Sequence, residues 1–388
     1  MTKHVLIIIP SMKTGGTLSS LISIYNAFCE TLDISVLPLS RCDFNNLPFT
    51  ESLISNSLLN AYNGAFSTLS LYEKILAIFV KPYKRYLFKR NVQLSSLVAR
   101  KVVKQIIHKR RFDVVVGFSE GISTKLASFF NGSKRVSWIH CDYKRYYEGL
   151  VNKSDEFAIY NRFDTIVCVS DYTRNSFLNV FPSLSFKTVY IHNLIDGERI
   201  TQMSMEDIDD TRFINDKITI VSVGRIDPVK RFSEIPIIAS ELKQTGFSFR
   251  WYILGPDRDP QEASFLQKRI IDLDVEDDVI WLGEKSNPYA YMSRSDLFVC
   301  LSSSEACPMV FNEAKVIGLP IITTDFGSAD EFIIQGENGF ITSLSGLSNT
   351  ISTLSSNKQL LARIRNQNKC FSTDDDKAAL LKLYGFIS

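Results

Sequence analysis

Long apolar runs are absent from this sequence. The first residues, MTKHVLIIIPSM, hold an apolar run of only five residues, Val5–Ile9, and no small-residue cleavage site follows it, so they do not predict a signal peptide. Runs elsewhere, such as Ile75–Val80, fall far short of the roughly 20 residues that span a bilayer. We therefore expect a cytoplasmic protein that can also rest peripherally on the inner face of the cell membrane.

Patterns of cysteine and histidine that would build a disulfide framework or a zinc site are also missing. The seven cysteines are an odd number without a Cys-x-x-Cys pair, and the four histidines are scattered. Both facts favour reduced thiols and no structural metal. The composition that is present, 45% hydrophobic and 22% charged with a net charge of +2, is globular. At 388 residues the chain exceeds one ordinary core, so about two domains are expected.

Short β-branched runs alternate with helix-like segments along most of the chain. Buried runs of four to six residues separated by helices predict parallel sheets covered on both faces, and eleven such strands suit two doubly wound α/β domains better than one. The predicted strands are Val5–Ile9, Ile34–Leu37, Val114–Gly117, Arg135–Ile139, Thr165–Val169, Lys187–Ile191, Ile218–Val223, Arg250–Leu254, Val279–Leu282, Leu297–Leu301 and Pro320–Thr323.

A change in composition marks the predicted domain boundary. Residues 196–216, DGERITQMSMEDIDDTRFIND, hold seven acids and two arginines without an apolar period, which predicts a linker. We therefore expect one Rossmann-like domain over residues 1–195 and a second over 217–373. A terminal helix within 374–388 is expected to pack back on the N-terminal domain.

In open α/β sheets ligands bind beyond the carboxyl ends of the strands, and four segments of chemical interest follow such ends here. The first, PSMKTGGT, follows Val5–Ile9. Its Gly15 and Gly16 let a backbone approach a ligand closely, and the next helix offers free N–H groups. A plain tight turn explains the same residues. Because Gly-x-Gly-x-x-Gly is absent, a dinucleotide and hence an oxidoreductase are disfavoured.

The second segment, SVGRIDPVKRF, places Gly224 at a strand end, Arg225 directly after it and Lys230 five residues later. The guanidinium of Arg225 can bind two phosphate oxygens, and Lys230 adds a point charge beside it. This pattern indicates a phosphate site. The competing interpretation is two solvated surface cations.

The third segment, SSSEACP, precedes a helix expected to begin near Met309. The N–H groups of Met309 and Val310 lack helical partners there and can bind a phosphate. Glu313, one turn later, leans back toward the helix start, where it can accept from both hydroxyls of a ribose. Glu305 lies before the helix, within reach of a sugar attached to that phosphate. The competing interpretation is that both acids only complement the helix dipole.

Glu305-x7-Glu313, followed by GLP and TD, resembles the donor-site signature of retaining glycosyltransferases of family four, also called group 1 glycosyltransferases. The similarity extends to the early Gly-Gly loop, to Gly224-Arg225 with Lys230 and to GEKSNPYAY at 283–291, and it is loose over 40–110. It implies the GT-B architecture, in which two Rossmann-like domains face each other across a cleft. Ala306 stands where the family often has glycine, and a non-glycine residue resists positive φ.

The resemblance implies roles for residues in the second half of the chain. Arg225 and Lys230 would bind the nucleotide diphosphate, and Glu313 would bind the ribose. Glu305 would bind hydroxyls of the donor sugar near the reacting carbon.

Further roles concern the base and the sugar. Gly283, Glu284 and Lys285 would meet the base through backbone groups. His140, in the fourth segment VSWIHCDY, would donate a hydrogen bond to a sugar hydroxyl or to a transient charge. A packed structural histidine is the competing interpretation.

From this resemblance we expect a retaining transferase that moves a hexose or N-acetylhexosamine from a nucleotide diphosphate sugar, with UDP as the expected nucleotide. The acceptor would be a saccharide or lipid-linked saccharide in capsule, O-antigen or cell-wall polysaccharide synthesis. The alternatives are a nucleotide-sugar epimerase or hydrolase on the same frame, and a non-catalytic partner subunit of a glycosyltransferase.

A leaving diphosphate needs its charge stabilised, either by a metal ion at an Asp-x-Asp or by fixed cations. Asp257-Arg258-Asp259 lies in a turn where acids commonly cap helices, and Asp272-Leu273-Asp274 lies in a helix-to-strand connection. Because Arg225 and Lys230 are available, we expect the metal-free route and no cofactor.

Residues 72–111 hold twelve lysines or arginines and one acid, Glu73, interleaved with aromatic residues. Such a stretch suits an anionic membrane surface, where each cation contributes about 1 kcal/mol. No nucleic-acid-reading motif accompanies it, so we expect no nucleic-acid partner. Two solvated cationic helices are the competing interpretation.

Overall fold

The computed structural model of the protein describes residues 2–10, 15–40, 47–64, 66–88, 94–150, 153–214 and 216–384. The chain divides into two compact units. Unit 1 comprises Met1–Leu194 with Asp374–Ser388, and unit 2 comprises Ile195–Thr373. Each unit is built on a parallel sheet, and all strands but one were predicted as buried apolar runs.

Unit 1 contains a six-stranded parallel sheet in the order β2-β1-β3-β4-β5-β6. The order reverses between β1 and β3, which makes the tips of these two strands a ligand-binding position in doubly wound folds. The strands are β1 His4–Ile9, β2 Asp33–Pro38, β3 Val114–Gly117, β4 Lys134–Ile139, β5 Thr165–Cys168 and β6 Thr188–Tyr190. The helices are α1 Gly16–Phe28, α2 Ser57–Asn63, α3 Leu71–Phe88, α4 Ser96–Lys109, α5 Ile122–Ala127, α6 Tyr143–Glu148, α7 Glu156–Tyr160 and α8 Asp171–Val180.

Unit 2 contains a second six-stranded parallel sheet in the order β12-β11-β10-β7-β8-β9, which reverses between β7 and β10. The strands are β7 Ile218–Val223, β8 Phe249–Leu254, β9 Val279–Gly283, β10 Leu297–Cys300, β11 Ile321–Thr324 and β12 Gly339–Thr342. The helices are α9 Gly197–Ser204, α10 Ile235–Gln244, α11 Pro260–Asp272, α12 Pro288–Ser293, α13 Met309–Ile317, α14 Ala329–Phe332, α15 Leu347–Ser356 and α16 Lys358–Asn368.

The sheet of unit 2 is buried on both faces, as its continuous apolar strands predict. Ile220 belongs to one buried cluster and its neighbour Val221 to the other. Trp251 and Tyr252 of the adjacent strand divide in the same way. Because successive residues of a strand point to opposite faces, the two clusters are the two sides of one sheet.

All eleven predicted strands are present, and a twelfth, β12, was missed. It begins at Gly339, where an added Cβ would lie 2.4 Å from the carbonyl oxygen of Ile321, so the close approach of β11 requires glycine. Glycine in a strand weakens the sequence signal for a strand, which is why β12 escaped prediction.

Residues 196–216 do not form the expected linker; they belong to unit 2. Helix α9 buries Ile200 and contacts α12 and α13. Downstream, the carboxylate of Asp210 accepts from Arg212 at 2.6 Å and from Lys285 at 2.7 Å. The acids that made this segment look solvated are therefore partly paired within the unit.

The final helix, α17 Asp374–Tyr384, belongs to unit 1. The backbone N–H of His192 donates to Asp376 at 3.0 Å, and Lys134 Nζ donates to the carbonyl of Leu383 at 2.6 Å.

Within the described ranges, the structure contains no helix with the length and hydropathy needed to cross a membrane.

Candidate functional site

The reversal of strand order in unit 2 brings the loops after β7 and β10 together. The two strands are direct neighbours, with Ile220 paired to Leu297. Their loops are joined by the backbone N–H of Ser303, which donates to the carbonyl of Val229 at 2.8 Å. Lys230 directly follows Val229, and Glu305 lies two residues after Ser303, so the sheet topology brings the two side chains together.

Lys230 and Glu305 form an ion pair shielded from solvent. Nζ of the lysine lies 2.5 Å from Oε1 of the glutamate, and each side chain is 16% exposed. The hydroxyl of Ser302 donates to the same oxygen at 2.7 Å. Burial has the largest single effect and lowers the pKa of Lys230, but the charge and hydrogen bond of Glu305, together with Cys300 and Asp227, outweigh it, and the pKa ends above its usual value. The ammonium is therefore a permanent cation held in place.

The loop that carries Glu305 is fixed from β11 and from the segment after it. Thr324 donates its hydroxyl to the carbonyl of Ser302 at 2.8 Å, and Ser328 donates to the carbonyl of Glu305 at 2.8 Å. The non-glycine residues with positive φ in the described part of the chain are Arg231 and Asp274. Ala306 is not among them, so its replacement of the family's glycine causes no backbone strain here.

Helix α13 begins at Met309, as predicted, with Pro308 at its N-cap and no side chain capping the first turn. The N–H groups of Met309 and Val310 therefore point beyond the helix start. Glu313 is half-buried, and desolvation raises its pKa to about 7 against the opposing effects of Tyr289, Lys230 and Arg199. This acid is consequently balanced between its neutral and charged forms near neutral pH.

Two of the residues that influence Glu313 were missed by sequence reasoning. Tyr289, on α12, places its hydroxyl 3.4 Å from Oε1 of Glu313. Arg199, on α9, is close enough for its charge to lower the pKa of Glu313. Tyr289 lies within the GEKSNPYAY segment already singled out. Arg199 carried no usable signal, because it was assigned to the linker.

Arg225 lies in the loop after β7 but outside this cluster. Its guanidinium lies 3.4 Å from Asp227, and its side chain is 55% exposed. The same loop approaches β8 closely: an added Cβ on Gly255 would lie 1.7 Å from the carbonyl oxygen of Gly224. The structure thus brings Lys230, Glu305 and Glu313 into one electrostatic cluster and leaves Arg225 at its solvent side.

The turn after β9 contains the three residues expected to meet the base. Gly283 has φ +79°, which glycine tolerates, and its carbonyl accepts from Gly255 N–H at 2.9 Å. Glu284 is exposed, and Lys285 is held by Asp210. Only part of the backbone of this turn is therefore free to contact a ligand.

In unit 1, His140 follows the carboxyl end of β4, the neighbour of β3 on the side away from the reversal between β1 and β3. Its ring packs on Phe118 with centroids 4.8 Å apart and stacks on Trp138 at 6.3 Å. Within the described residues, Nε2 is buried without a hydrogen-bond partner, and burial lowers the pKa of His140 to about 3. The imidazole is therefore neutral, which suits a hydrogen bond with a sugar hydroxyl.

A second group at the tips of unit 1 was not anticipated. Glu120, which follows β3, accepts from the backbone N–H of His140 and from the hydroxyl of Ser119 at 3.0 Å. Gly15 precedes α1, which starts at Gly16 after the tip of β1. Residues 11–14 of the predicted glycine loop lie outside the described residues.

The two Asp-x-Asp sequences have structural partners. Asp259 caps α11 by accepting from the N–H groups of Gln261 and Glu262, as predicted. Asp274 pairs with Lys243 at 3.1 Å. Over the described ranges, no group of three or more histidine, cysteine, aspartate or glutamate side chains is arranged to hold a metal ion.

Two known protein families match successive parts of the chain. The Glycosyltransferase Family 4 model matches residues 65–199, and the Glycosyl transferases group 1 model matches residues 204–370. The paired glutamates, Gly224 and Lys230 all lie within the second match. Residues 204–370 therefore match the group 1 glycosyltransferases, the family that the paired glutamates resemble.

Several curated relatives are glycosyltransferases. An uncharacterized glycosyltransferase of Methanocaldococcus jannaschii is 24% identical over 69% of this chain and 71% of its own length. An N-acetylgalactosamine-N,N'-diacetylbacillosaminyl-diphospho-undecaprenol 4-alpha-N-acetylgalactosaminyltransferase of Campylobacter jejuni is 27% identical over 62% of this chain and 64% of its own length. The capsular polysaccharide biosynthesis glycosyltransferase CapM of Staphylococcus aureus is 25% identical over 34% of each chain.

Solved structures resemble the whole chain. Anabaena Alr3699/HepE, crystallised with UDP and glucose, aligns with a TM-score of 0.73 and 17% identity over 99% of this chain and 100% of that one. A glycosyltransferase from Rickettsia africae aligns with a TM-score of 0.71 and 16% identity over 99% and 98%. The predicted GT-B fold, with two doubly wound parallel-sheet domains, is confirmed.

Proposed function

We propose that the protein is a retaining glycosyltransferase that moves a hexose or N-acetylhexosamine from a UDP-sugar to a saccharide acceptor. The observation that carries the proposal is the shielded Lys230–Glu305 pair at the strand reversal of unit 2, with Glu313 beside it. A fixed cation suits the diphosphate of a nucleotide diphosphate sugar, and the two carboxylates suit the hydroxyls of its hexose and its ribose.

Lys230 stabilises the leaving diphosphate in this proposal. Its ammonium is already in place before the donor arrives, so little reorganisation is needed when negative charge develops on the leaving oxygen. The uncapped N–H groups of Met309 and Val310 are further donors for the same phosphates. Arg225, at the solvent side, adds a more mobile charge.

Glu305 and Glu313 bind sugar hydroxyls in this proposal. Lys230 and Ser302 both bind Oε1 of Glu305, and within the described residues Oε2 has no hydrogen-bond partner. That oxygen is available to a hydroxyl of the transferred sugar. Glu313 accepts from the ribose, and the backbone of Gly283–Lys285 meets the base.

His140 and the backbone of Gly15 and Gly16 contribute from unit 1. The neutral imidazole hydrogen-bonds a hydroxyl of the donor sugar, and the glycines let the backbone approach its phosphates. The acceptor oxygen bonds to the anomeric carbon on the face from which the nucleotide diphosphate departs, and the departing phosphate oxygen takes the hydroxyl proton, so the configuration is retained. Fixed cations make the reaction independent of metal.

A binding experiment tests the donor assignment. Titration calorimetry with UDP-glucose, UDP-N-acetylglucosamine, UDP-N-acetylgalactosamine and GDP-mannose, in EDTA, should give a UDP-sugar as the tightest ligand. K230M should weaken it by roughly a hundredfold, the effect of losing a charged hydrogen bond. K268M, at an exposed lysine of unit 2, is the control. Binding that needs added Mn²⁺, or that K230M leaves intact, would contradict the proposal.

We also propose that the acceptor is lipid-linked and that the setting is surface polysaccharide synthesis. The Campylobacter relative is named for a diphospho-undecaprenol-linked acceptor, and the Staphylococcus relative for capsular polysaccharide biosynthesis. These names support the proposed acceptor class. Transfer of radiolabelled sugar to membrane extracts, recovered in the organic phase, is the expected result.

The membrane contact is assigned to α3. This helix exposes six large apolar or aromatic side chains, which is unusual for a solvent-facing helix. Two of its lysines are used elsewhere: Lys81 donates to the carbonyl of Gly64 at 3.0 Å and Lys84 to that of Tyr62 at 3.1 Å. Apolar insertion, more than these two charges, would therefore carry the contact. The six side chains are Leu71, Tyr72, Ile75, Ile78, Phe79 and Tyr83.

Vesicle sedimentation tests this contact. L71S/F79S removes two side chains that are 79% and 75% exposed and should lower binding to anionic vesicles by roughly tenfold. F186S, at an 82% exposed phenylalanine elsewhere in unit 1, should not. Equal loss in both variants would exclude α3 as the contact.

A further inference from the structure

A cavity of about 780 Å³ opens in unit 1 between α4 and the residues that follow α5. Its lining comes from Arg100 to His108 on α4 and from Phe129 and Asn131 after α5. Both helices precede strands of the parallel sheet, so their C-terminal ends lie at the edge where strands begin. The cavity is therefore remote from the strand tips that hold Gly15 and His140.

The cavity rim is strongly positive. Arg100, Lys101, Lys104 and His108 are all exposed and line it, and the lining contains no carboxylate. In the described part of the chain, the three permanent cations make no ion pair. An anion would meet several donors without displacing an acidic partner.

One aromatic ring organises two of the cations near this cavity. The guanidinium of Arg100 lies 5.5 Å from the centroid of Phe129, and that of Arg162 lies 5.1 Å from it. Stacking restricts both guanidiniums, and a restricted guanidinium loses less entropy when it binds a phosphate. Arg100, which lines the cavity, is therefore partly positioned by Phe129 before an anion binds.

The wall beneath the cations is apolar. Val103, Ile107 and Phe129 line the cavity, and Val103 is almost fully buried. A bare phosphate would contact only the rim of so large a space and would leave this wall uncovered. A ligand that fills the cavity must carry an anionic group and an apolar portion together.

We propose that this cavity binds a membrane lipid with a phosphomonoester headgroup, the phosphate at Arg100 and Lys104 and the first carbons of its chains against Ile107 and Phe129. This inference rests on the proposed membrane association of the protein and names a lipid class as its partner. The cavity lies apart from the transfer site, so the lipid anchors the protein and is not consumed.

Titration calorimetry with soluble ligands tests the site on the full chain. Dihexanoyl phosphatidic acid below its micellar concentration should bind with one-to-one stoichiometry. Glycerol 3-phosphate has the headgroup without the chains, and dihexanoyl phosphatidylcholine has its phosphate capped by choline. Each should bind at least roughly tenfold more weakly than dihexanoyl phosphatidic acid. Equal affinity for glycerol 3-phosphate would show a site for free phosphate and overturn the lipid assignment.

Variants locate the binding. R100E/K104E should weaken dihexanoyl phosphatidic acid by roughly tenfold or more, whereas K268E/K358E, with the same charge change on exposed lysines of unit 2, should stay within about twofold. R100Q/K104Q replaces the first variant if it fails to fold. Equal weakening in both pairs would show non-specific attraction and refute the site. Because no bilayer is used, failure here is separable from failure of α3 to bind vesicles.

Discussion

Both units place their candidate residues beyond the carboxyl ends of parallel strands, yet the two groups of residues differ in charge. In unit 2 the tips of β7 and β10 present a shielded ammonium–carboxylate pair with a second acid beside it. In unit 1 the tip of β4 presents an imidazole that burial keeps neutral, packed on aromatic rings. The fold supplies the location in both units, and local side chains decide what chemistry the location performs.

This difference divides the work in the proposed reaction. A diphosphate needs a cation whose position is fixed before binding. Lys230 is that cation, and the Glu305 carboxylate fixes its position. A sugar hydroxyl needs a neutral hydrogen-bonding group, which His140 provides. Predictions that separate binding from turnover therefore test whether the division is real.

The largest expected effect is for Lys230→Ala. Transfer should fall at least about a thousandfold, because the leaving group loses its fixed cation. The free energy of unfolding should fall by about 3–5 kcal/mol, because Glu305 is left without its charged partner. Initial rates and urea unfolding measure the two effects.

The double variant K230A/E305A separates them. Removing both charges should restore part of the lost stability, since no uncompensated charge remains, without restoring transfer. If K230A keeps a tenth of the wild-type rate, the pair is a structural ion pair only.

His140→Ala should act on turnover and leave donor binding alone. We expect kcat to fall about a hundredfold, with the dissociation constant of the donor nearly unchanged. Since the pKa of His140 is about 3, the pH profile of kcat should show no inflection from this residue between pH 5 and 8. An inflection near 6.5 that disappears in the variant would mean that the imidazole titrates, and the neutral assignment would be wrong.

Donor affinity should depend on pH through Glu313. Ribose hydroxyls donate, so the ionised carboxylate is the form that binds them. With a pKa of about 7 in the free protein, this form increases as pH rises, so affinity should increase by roughly tenfold between pH 6 and 8. Calorimetry at several pH values with E313Q as control, whose affinity should be lower and flat, checks this. A wild-type affinity that falls with rising pH would reverse the assigned role.

The smallest effect is expected for Arg225→Ala. The side chain is half exposed and already paired with Asp227, so donor KM should rise by only about fivefold to tenfold. Stability should change by less than about 0.5 kcal/mol, as for other exposed substitutions. If R225A lost as much transfer activity as K230A, Arg225 would act inside the cluster with Lys230. That result would contradict the separate positions of the two cations in the structure.

The sequence alone predicted the features that depend on local patterns of residues. Buried apolar runs revealed eleven strands, and the spacing of Glu305 and Glu313 around a helix start indicated their shared location. Prediction from the sequence failed where tertiary packing decides the outcome. The acids of residues 196–216 were interpreted as solvated, because the sequence does not show that Asp210 pairs with the distant Lys285. Arg199 was missed because it lies in that misassigned segment. Glu120 was missed because a backbone N–H, which no sequence pattern reveals, is its partner.

The central claim is that Lys230 and Glu305 form the binding site for an activated sugar's diphosphate and hexose. A crystal structure of the full chain with UDP and an unhydrolysable UDP-sugar analogue, grown in EDTA, tests it most directly. We predict a diphosphate oxygen within hydrogen-bonding distance of Lys230 Nζ, a sugar hydroxyl on Glu305 and the ribose on Glu313. Nucleotide bound elsewhere in unit 2, with the lysine and glutamate touching only each other, would contradict the account.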